Sequence, residues 1–292
     1  MRARAPASTA NLGPGFDVLA LALDVYVEVE IEPASRLTVR AEGEGADLAD
    51  DAATHLAARV AIDVAGHDRM AIAVRSDIPV ARGLGSSAAL AVAAAAAAGS
   101  KDPLGVAARA DGHPENAAAS AVGGLVAATT VRGAVRVVRL PLDPGLVLVA
   151  IVPDRALPTT RARQALPHRI SRTDATFNLG RMALLLAGLA DRSLLSREAT
   201  EDRLHQDYRN PLFPEAPQLL GQLVRGGALA ACWSGAGPTL VGFCDRGKAE
   251  LVRSEAQAAM AEAGVTGRAV VLVPDLRGLV LGAGAGGGRG DT

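Results

Sequence analysis

The stretch from residue 79 to residue 98 constrains this chain most. It reads Pro79-Val80-Ala81-Arg82-Gly83-Leu84-Gly85-Ser86-Ser87-Ala88-Ala89 and runs on almost wholly in alanine. Two glycines permit a tight turn and let backbone approach a ligand closely. The small-residue run over 86–98 predicts a helix. A helix start offers unpaired N–H groups and the positive end of its dipole. The hydroxyls of Ser86 and Ser87 add donors or a magnesium ligand. The combination is a cradle for an anion, best suited to phosphate. The plainer alternative is a capped helix after a glycine turn, with Ser86 as N-cap.

Other phosphate and nucleophile motifs fit less well. A Walker A loop needs Gly-Lys-Ser/Thr, and Gly247-Lys248-Ala249 fails that test. Gly83-x-Gly85-x-x-Ala88 satisfies the loose dinucleotide fingerprint with Asp111 downstream, but some eighty residues precede it. A Gly-x-Ser-x-Gly elbow is absent around Ser234, where Cys232 stands two residues before.

The rest of the chain mixes strands and helices, so the class is α/β or α+β. Residues 25–31 alternate as a half-buried strand that residues 37–40 could join, and 70–75 alternate likewise. Helices are expected over 52–64, 101–110, 174–189, 214–225 and 248–263. Strands are expected over 123–130, 135–140, 146–152, 228–233, 240–244 and 268–273. A break at 141–145 marks a domain boundary, giving 1–143, 144–281 and a flexible glycine-rich tail over 282–292. Its Arg289-Gly290-Asp291 is read as chance.

Net charge is −1, which argues against nucleic-acid binding by bulk charge. Cys232 and Cys244 are the only cysteines, too few for a disulfide scaffold or a cysteine zinc site. The start of the chain lacks the apolar core of a signal peptide, and the run over 88–98 is too short to cross a bilayer. A cytoplasmic protein with no membrane or nucleic-acid partner is expected.

Three further clusters carry polar chemistry. Asn11-Leu12-Gly13-Pro14-Gly15-Phe16-Asp17 places an amide and a carboxylate around a turn, where Asp17 could bind an ammonium group or cap a short helix. Asp111-Gly112-His113-Pro114-Glu115-Asn116 gathers two acids, a histidine and an amide. One histidine without a second nearby is poor zinc evidence. Ser234-Gly235-Ala236-Gly237-Pro238-Thr239 is a second glycine loop between strands. Arg163 and Arg209 are read in loops near Thr159 and Tyr208, as solvated charges or as carboxylate forks.

Taken in order, these segments resemble the GHMP small-molecule kinases (galactose, homoserine, mevalonate and phosphomevalonate kinases). Pro79 to Ala89 is similar to their phosphate loop, and Pro6 to Asp17 to their first motif in its homoserine-kinase form. Gly112 to Asn116, the stretches over 158–167 and 208–212, and the loop over 234–239 are similar to further family segments. The resemblance implies an N-terminal α/β ATP-binding domain with a left-handed βαβ unit and a C-terminal ferredoxin-like domain. It implies ATP- and Mg2+-dependent phosphorylation of the L-homoserine hydroxyl, a step towards threonine, and a homodimer by analogy.

Carried over by residue, ATP lies across Pro79, Arg82, Gly83, Leu84, Gly85, Ser86, Ser87 and Ala88. Asn11, Asp17, Thr159, Arg163 and Arg209 hold the amino acid, Asp17 on its ammonium and the arginines on its carboxylate. His113 and Asn116 stand near the reacting hydroxyl. Ser87 is a metal ligand. Asn116, where several relatives carry a basic aspartate, implies catalysis by alignment.

The chain departs from the family pattern in several places. Residues 101–110 hold no glutamate for the metal, which leaves Asp111 as the nearest candidate. Glu115 replaces the usual aspartate, and His55 stands where relatives often have asparagine. The competing readings are a GHMP kinase of another alcohol such as L-threonine or mevalonate, a silent nucleotide-binding relative, and an NAD enzyme.

Overall fold

The computed structural model describes residues 1–49 and 51–282. Residues 283–292, most of the expected tail with its Arg-Gly-Asp tripeptide, lie outside them.

The first part of the chain builds a sheet from β1 (Arg2–Asn11), β2 (Gly15–Pro33), β3 (Thr38–Gly43), β4 (Met70–Ser76), β5 (Leu125–Val131) and β6 (Ala134–Leu140). β2 is 19 residues long and serves two neighbours. Its C-terminal half pairs with β4 and its N-terminal half with β5, while β1 runs antiparallel along its other edge. Residues 37–40 do not join β2 as expected. β3 pairs parallel with β4, which already occupies that edge of β2. A parallel pair needs a crossover, and α1 (Leu56–Ala65) supplies it. α1 starts at Leu56 rather than 52 because His55 caps it, accepting from the Ala57 N–H at 3.3 Å. The pairs β1–β2, β2–β4, β2–β5 and β5–β6 are antiparallel. That is not the parallel sheet on which a dinucleotide fingerprint acts, so the NAD reading falls.

α2 (Ser86–Ala97) lies on β1 and β2 and is flanked by α1, α3 (Pro103–Asp111) and α4 (Pro114–Val122). Every residue of α2 from Ala88 to Ala97 except Leu90 is at most 4% exposed. The alanine run is therefore a packing solution, since only side chains this small let five elements close around one helix. Low amphipathicity follows, because beyond Leu90 no face of α2 meets water.

The second part is a four-stranded antiparallel sheet of β7 (Leu146–Pro153), β8 (Ala230–Trp233), β9 (Leu240–Asp245) and β10 (Gly267–Leu272). Its order is β10-β7-β9-β8, the expected ferredoxin-like arrangement. Before β8 come α5 (Thr159–Gln164), α6 (Arg172–Ala190), α7 (Gln206–Arg209) and α8 (Ala216–Arg225), and α9 (Ala249–Glu262) precedes β10. β7 is apolar throughout because both its faces are covered. Val147, Val149 and Ile151 pack with α8 and α9, whereas Leu146, Leu148 and Ala150 join the core shared with the first sheet. Arg163 and Arg209 lie on α5 and α7 rather than in loops. Helices of six and four residues are too short to show a period.

After β10 the chain returns to the first sheet, where β11 (Val280–Gly282) pairs with β1. Asp275 anchors the return. Its Oδ2 accepts from Tyr26 Oη at 2.8 Å, and its Oδ1 accepts from the Arg277 and Gly278 N–H groups.

Ala93, fully buried at the middle of α2, offers a direct check of this packing. Ala93→Leu should destabilise the fold by about 1–3 kcal/mol, read as a lower urea midpoint with an unchanged m-value.

Candidate active site

The loop between β4 and α2 adopts left-handed backbone at Ala81, Gly83 and Gly85. A Cβ on Gly83 would lie 2.2 Å from the Ser234 carbonyl oxygen, and one on Gly85 2.1 Å from Ser8 Oγ. Gly85, not Ser86, is the N-cap, and no side chain caps α2. The first bond of the helix runs from the Ala89 N–H to the Gly85 carbonyl at 3.0 Å. The N–H groups of Ser86, Ser87 and Ala88 therefore lie outside the helical ladder. Ser86 and Ser87 border a cavity of about 430 Å³ that Pro79 and Leu84 also line, whereas Ala88, expected there, is fully buried beneath them. Arg82 lines it too, but its guanidinium donates to the carbonyls of Val80, Pro153 and Asp154. It clasps the loop to the end of β7.

Ser87 Oγ donates to Asp111 Oδ1 at 2.5 Å. Asp111 is the last residue of α3, turned by left-handed Gly112. The acid that meets the phosphate loop thus sits at the helix end, not within residues 101–110. Among the described residues no group of three or more His, Cys, Asp or Glu could hold a metal ion. One hydroxyl and one carboxylate oxygen are nonetheless the hard donor set that Mg2+ takes when phosphates supply its remaining ligands. His113 Nδ1 lies 2.8 Å from the Asp111 carbonyl, and its Nε2 accepts from Arg163 Nε at 3.0 Å. That contact requires the ring to be neutral with its proton on Nδ1. The Asp111 side chain pulls the ring's pKa up against its own burial, and Arg163 opposes the rise.

Across the cavity, Arg163 grips Asp17 in a two-pronged ion pair, at 2.7 Å and 3.1 Å. Asn11 stands on the wall with its side chain engaged at both ends. Its Nδ2 donates to the Gly235 carbonyl at 2.8 Å and its Oδ1 accepts from the Asp17 N–H at 3.0 Å. It welds the Gly-Pro-Gly turn to the second glycine loop. Thr159 opens α5 beside the cavity. Asn116 is held from two sides, with Ser8 Oγ donating to its Oδ1 at 2.9 Å and its Nδ2 donating to Glu115 Oε1 at 3.1 Å.

Arg209 is 2% exposed and forms no ion pair among the described residues. Its Nη1 donates to the Gly235 carbonyl at 2.7 Å and lies 3.0 Å from His205 Nδ1, while its Nε has no partner. Burial pushes its pKa down to about 10, still far above neutrality. The ring of Phe16 lies under both arginines, 5.8 Å from Arg163 and 5.7 Å from Arg209. It keeps two like charges apart with a polarisable face toward each.

A second cavity, of about 280 Å³, shares Ser86 and Ser87 with the first and is walled by apolar side chains including Leu56, Val74, Val80 and Leu90. His55 lines it while capping α1, and burial lowers its pKa.

Comparison with known proteins agrees with this architecture. The model for the GHMP kinases N terminal domain matches residues 47–124, and that for GHMP kinases C terminal matches residues 183–262. The homoserine kinase of Moorella thermoacetica is 39% identical, over 95% of this chain and 98% of its own. That of Thermus thermophilus is 40% identical, over 91% and 94%. The chain belongs to the GHMP kinase family. The crystal structure of homoserine kinase from Cytophaga hutchinsonii superposes with a TM-score of 0.85 at 26% identity, covering 96% of both chains. Mevalonate kinase of L. major, at 16% identity and a TM-score of 0.72 over 94% and 96%, shares the fold.

In this GHMP kinase, Ser8, Phe16, Glu115 and His205 surround the cavity or support its walls without having been singled out as site residues. Ser8, Phe16 and Glu115 fall inside the segments already named, Pro6 to Asp17 and Asp111 to Asn116, whereas His205 has no local signal. His205 is fully buried, 2.8 Å from the Gly13 carbonyl and stacked on Phe16 at 5.2 Å. Burial lowers its pKa from 6.5 to about 4, with Asp202 opposing and Arg209 reinforcing the shift. The unfolded chain protonates this ring below pH 6.5, whereas the folded chain resists to about 4. Between those values the unfolded state binds more protons, so stability falls on acidification by up to about 1.4 kcal/mol per pH unit from this group. His205→Gln should remove that component, seen as a shallower pH dependence of the urea-unfolding free energy from pH 6.5 to 4.

Proposed function

We propose that this GHMP kinase transfers the γ-phosphoryl group of ATP to the side-chain hydroxyl of L-homoserine, giving O-phospho-L-homoserine and ADP. The observation that carries the acceptor reading is Arg209, a buried cation with an unpaired Nε on the cavity wall. A substrate carboxylate satisfies it. The Asp17–Arg163 pair lies in the same cavity. A zwitterion entering there exchanges partners with that pair, carboxylate toward Arg163 and Arg209, ammonium toward Asp17. The names of the relatives point the same way.

The loop over 79–87 takes the triphosphate, with the free N–H groups of Ser86 and Ser87 facing its charge. Their shared border with the apolar second cavity suits that space to the adenine. Ser87 and Asp111 would hold Mg2+, which supplies charge neutralisation between phosphate oxygens when bound. Residues 1–143 then carry the nucleotide, residues 144–281 carry the substrate arginines, and β11 ties the second unit back to the first.

The transfer forms one bond, from the homoserine oxygen to the γ-phosphorus, and breaks the bond from that phosphorus to the β–γ bridging oxygen. The hydroxyl proton is released to solvent water, since the neutral amide of Asn116 cannot take it. Asn116, fixed by Ser8 and Glu115, orients the hydroxyl, and His113 holds Arg163 in place. Alignment and electrostatics carry most of such a reaction.

ADP release from Mg-ATP, compared across L-homoserine, L-threonine, L-serine and mevalonate, tests the reading. Strong stimulation by L-homoserine alone is expected. Equal or greater stimulation by another alcohol reassigns the acceptor, and none with any of them leaves a nucleotide-binding relative. In the active enzyme, Asp111→Asn should raise the Mg2+ concentration for half-maximal rate on the order of 10-fold, with KM for L-homoserine little changed.

A further inference from the structure

Glu115 is a buried acid that neither the alignment chemistry nor the metal pair requires to be ionised. It lies in the first turn of α4, 2% exposed, and lines the main cavity. Its Oε1 accepts from Asn116, but its Oε2 is buried without any hydrogen-bond partner. A buried carboxylate oxygen left unsatisfied is costly and rare in folded proteins. It makes sense where a ligand brings the missing donor.

The charges on the cavity wall indicate which donor. Asp17 and Arg163 neutralise each other through two hydrogen bonds. Asp111 is turned to Ser87, and Arg82 to backbone carbonyls. Arg209 and Glu115 remain, one positive and one negative, each with an unpartnered polar atom and neither in an ion pair among the described residues. Together they complement a zwitterion, a carboxylate for Arg209 and an ammonium for Glu115.

We infer that Glu115 Oε2 is a second acceptor for the α-ammonium group of the amino-acid substrate and the main source of discrimination against acceptors that lack one. This rests on the amino-acid reading of the cavity and deepens it. Asp17 shares its charge with Arg163, whereas Glu115 Oε2 has no competing partner. An acceptor with hydroxyl and carboxylate but no amine leaves Glu115 buried and unpaired, so the site rejects it.

The test compares kcat/KM for L-homoserine and for 4-hydroxybutanoate, which lacks only the amine, in wild type and Glu115→Gln. Wild type should strongly prefer L-homoserine. Glu115→Gln should shrink that preference on the order of 10- to 100-fold, the scale of one lost charge-assisted hydrogen bond. The loss should fall on KM for L-homoserine more than on kcat, and the analogue should lose less than L-homoserine does. A preference that survives in Glu115→Gln overturns the inference. So does a fall in kcat shared equally by both acceptors, which would leave Glu115 its support of Asn116 and no role toward the amine. Should Glu115→Gln fail to fold, Glu115→Asp keeps the charge one methylene further back. It must retain the preference for the amine with a raised KM, and equal use of both acceptors overturns the inference. A wild type that releases no ADP with L-homoserine fails at the acceptor reading itself and takes the inference with it, an outcome distinct from failure of the variant alone.

Discussion

Everything at this site depends on a backbone-to-backbone approach between the two halves of the chain, where Gly83 meets Ser234 too closely for any Cβ. Ser234 Oγ donates to the Gly83 carbonyl at 2.6 Å, and the Thr239 N–H donates to the Arg82 carbonyl at 3.3 Å. The phosphate loop is strained in isolation, with a non-glycine residue, Ala81, at positive φ. Such backbone persists only where surroundings over-determine it. Here the surroundings come from the second sheet, with Arg82 reaching the end of β7 and Leu157 donating to the Ala81 carbonyl at 3.0 Å. The nucleotide loop belongs to one sheet by sequence and to both by its hydrogen bonds.

The Gly235 carbonyl plays the matching part on the substrate side. It accepts from Asn11 and from Arg209, two residues nearly 200 positions apart. Asn11 in turn fixes the Asp17 backbone. Thus the turn that presents the acid and the helix that presents the buried cation are referenced to a single oxygen. Positioning of opposite charges at a fixed spacing is what a zwitterion site requires, and rigid support makes it selective.

Much of this was legible locally. The phosphate loop follows from glycine spacing and a helix of small residues, and β7 from an unbroken apolar run. One cause recurs among the differences, which is that distance along the chain hides contacts. Nothing near Ser8 announces Asn116, 108 residues on, and nothing near Gly13 announces His205, 192 residues on. Arg163 and Arg209 were recognisable by their place in the family pattern, but their helices were not. Their hold on the backbone comes from tertiary partners rather than from period. Residues 101–110 hold no glutamate, and the acid beside the loop is the nearest candidate after them, Asp111. The turn at Gly112 swings the acid that follows that segment onto the loop.

On the proposed reading, the same geometry lets a kinase of this build dispense with a strong base beside its acceptor. Asn116 is neutral, and both ends of its amide are engaged, by a hydroxyl and by a carboxylate. An aspartate in its place would set a second anion against Glu115 at contact distance, and one of the two would have to stay protonated. With an amide there, the one carboxylate in the pair remains free to answer a charge that the substrate brings. Recognition of the amine and neutrality at the reacting centre are then two consequences of one choice of side chain.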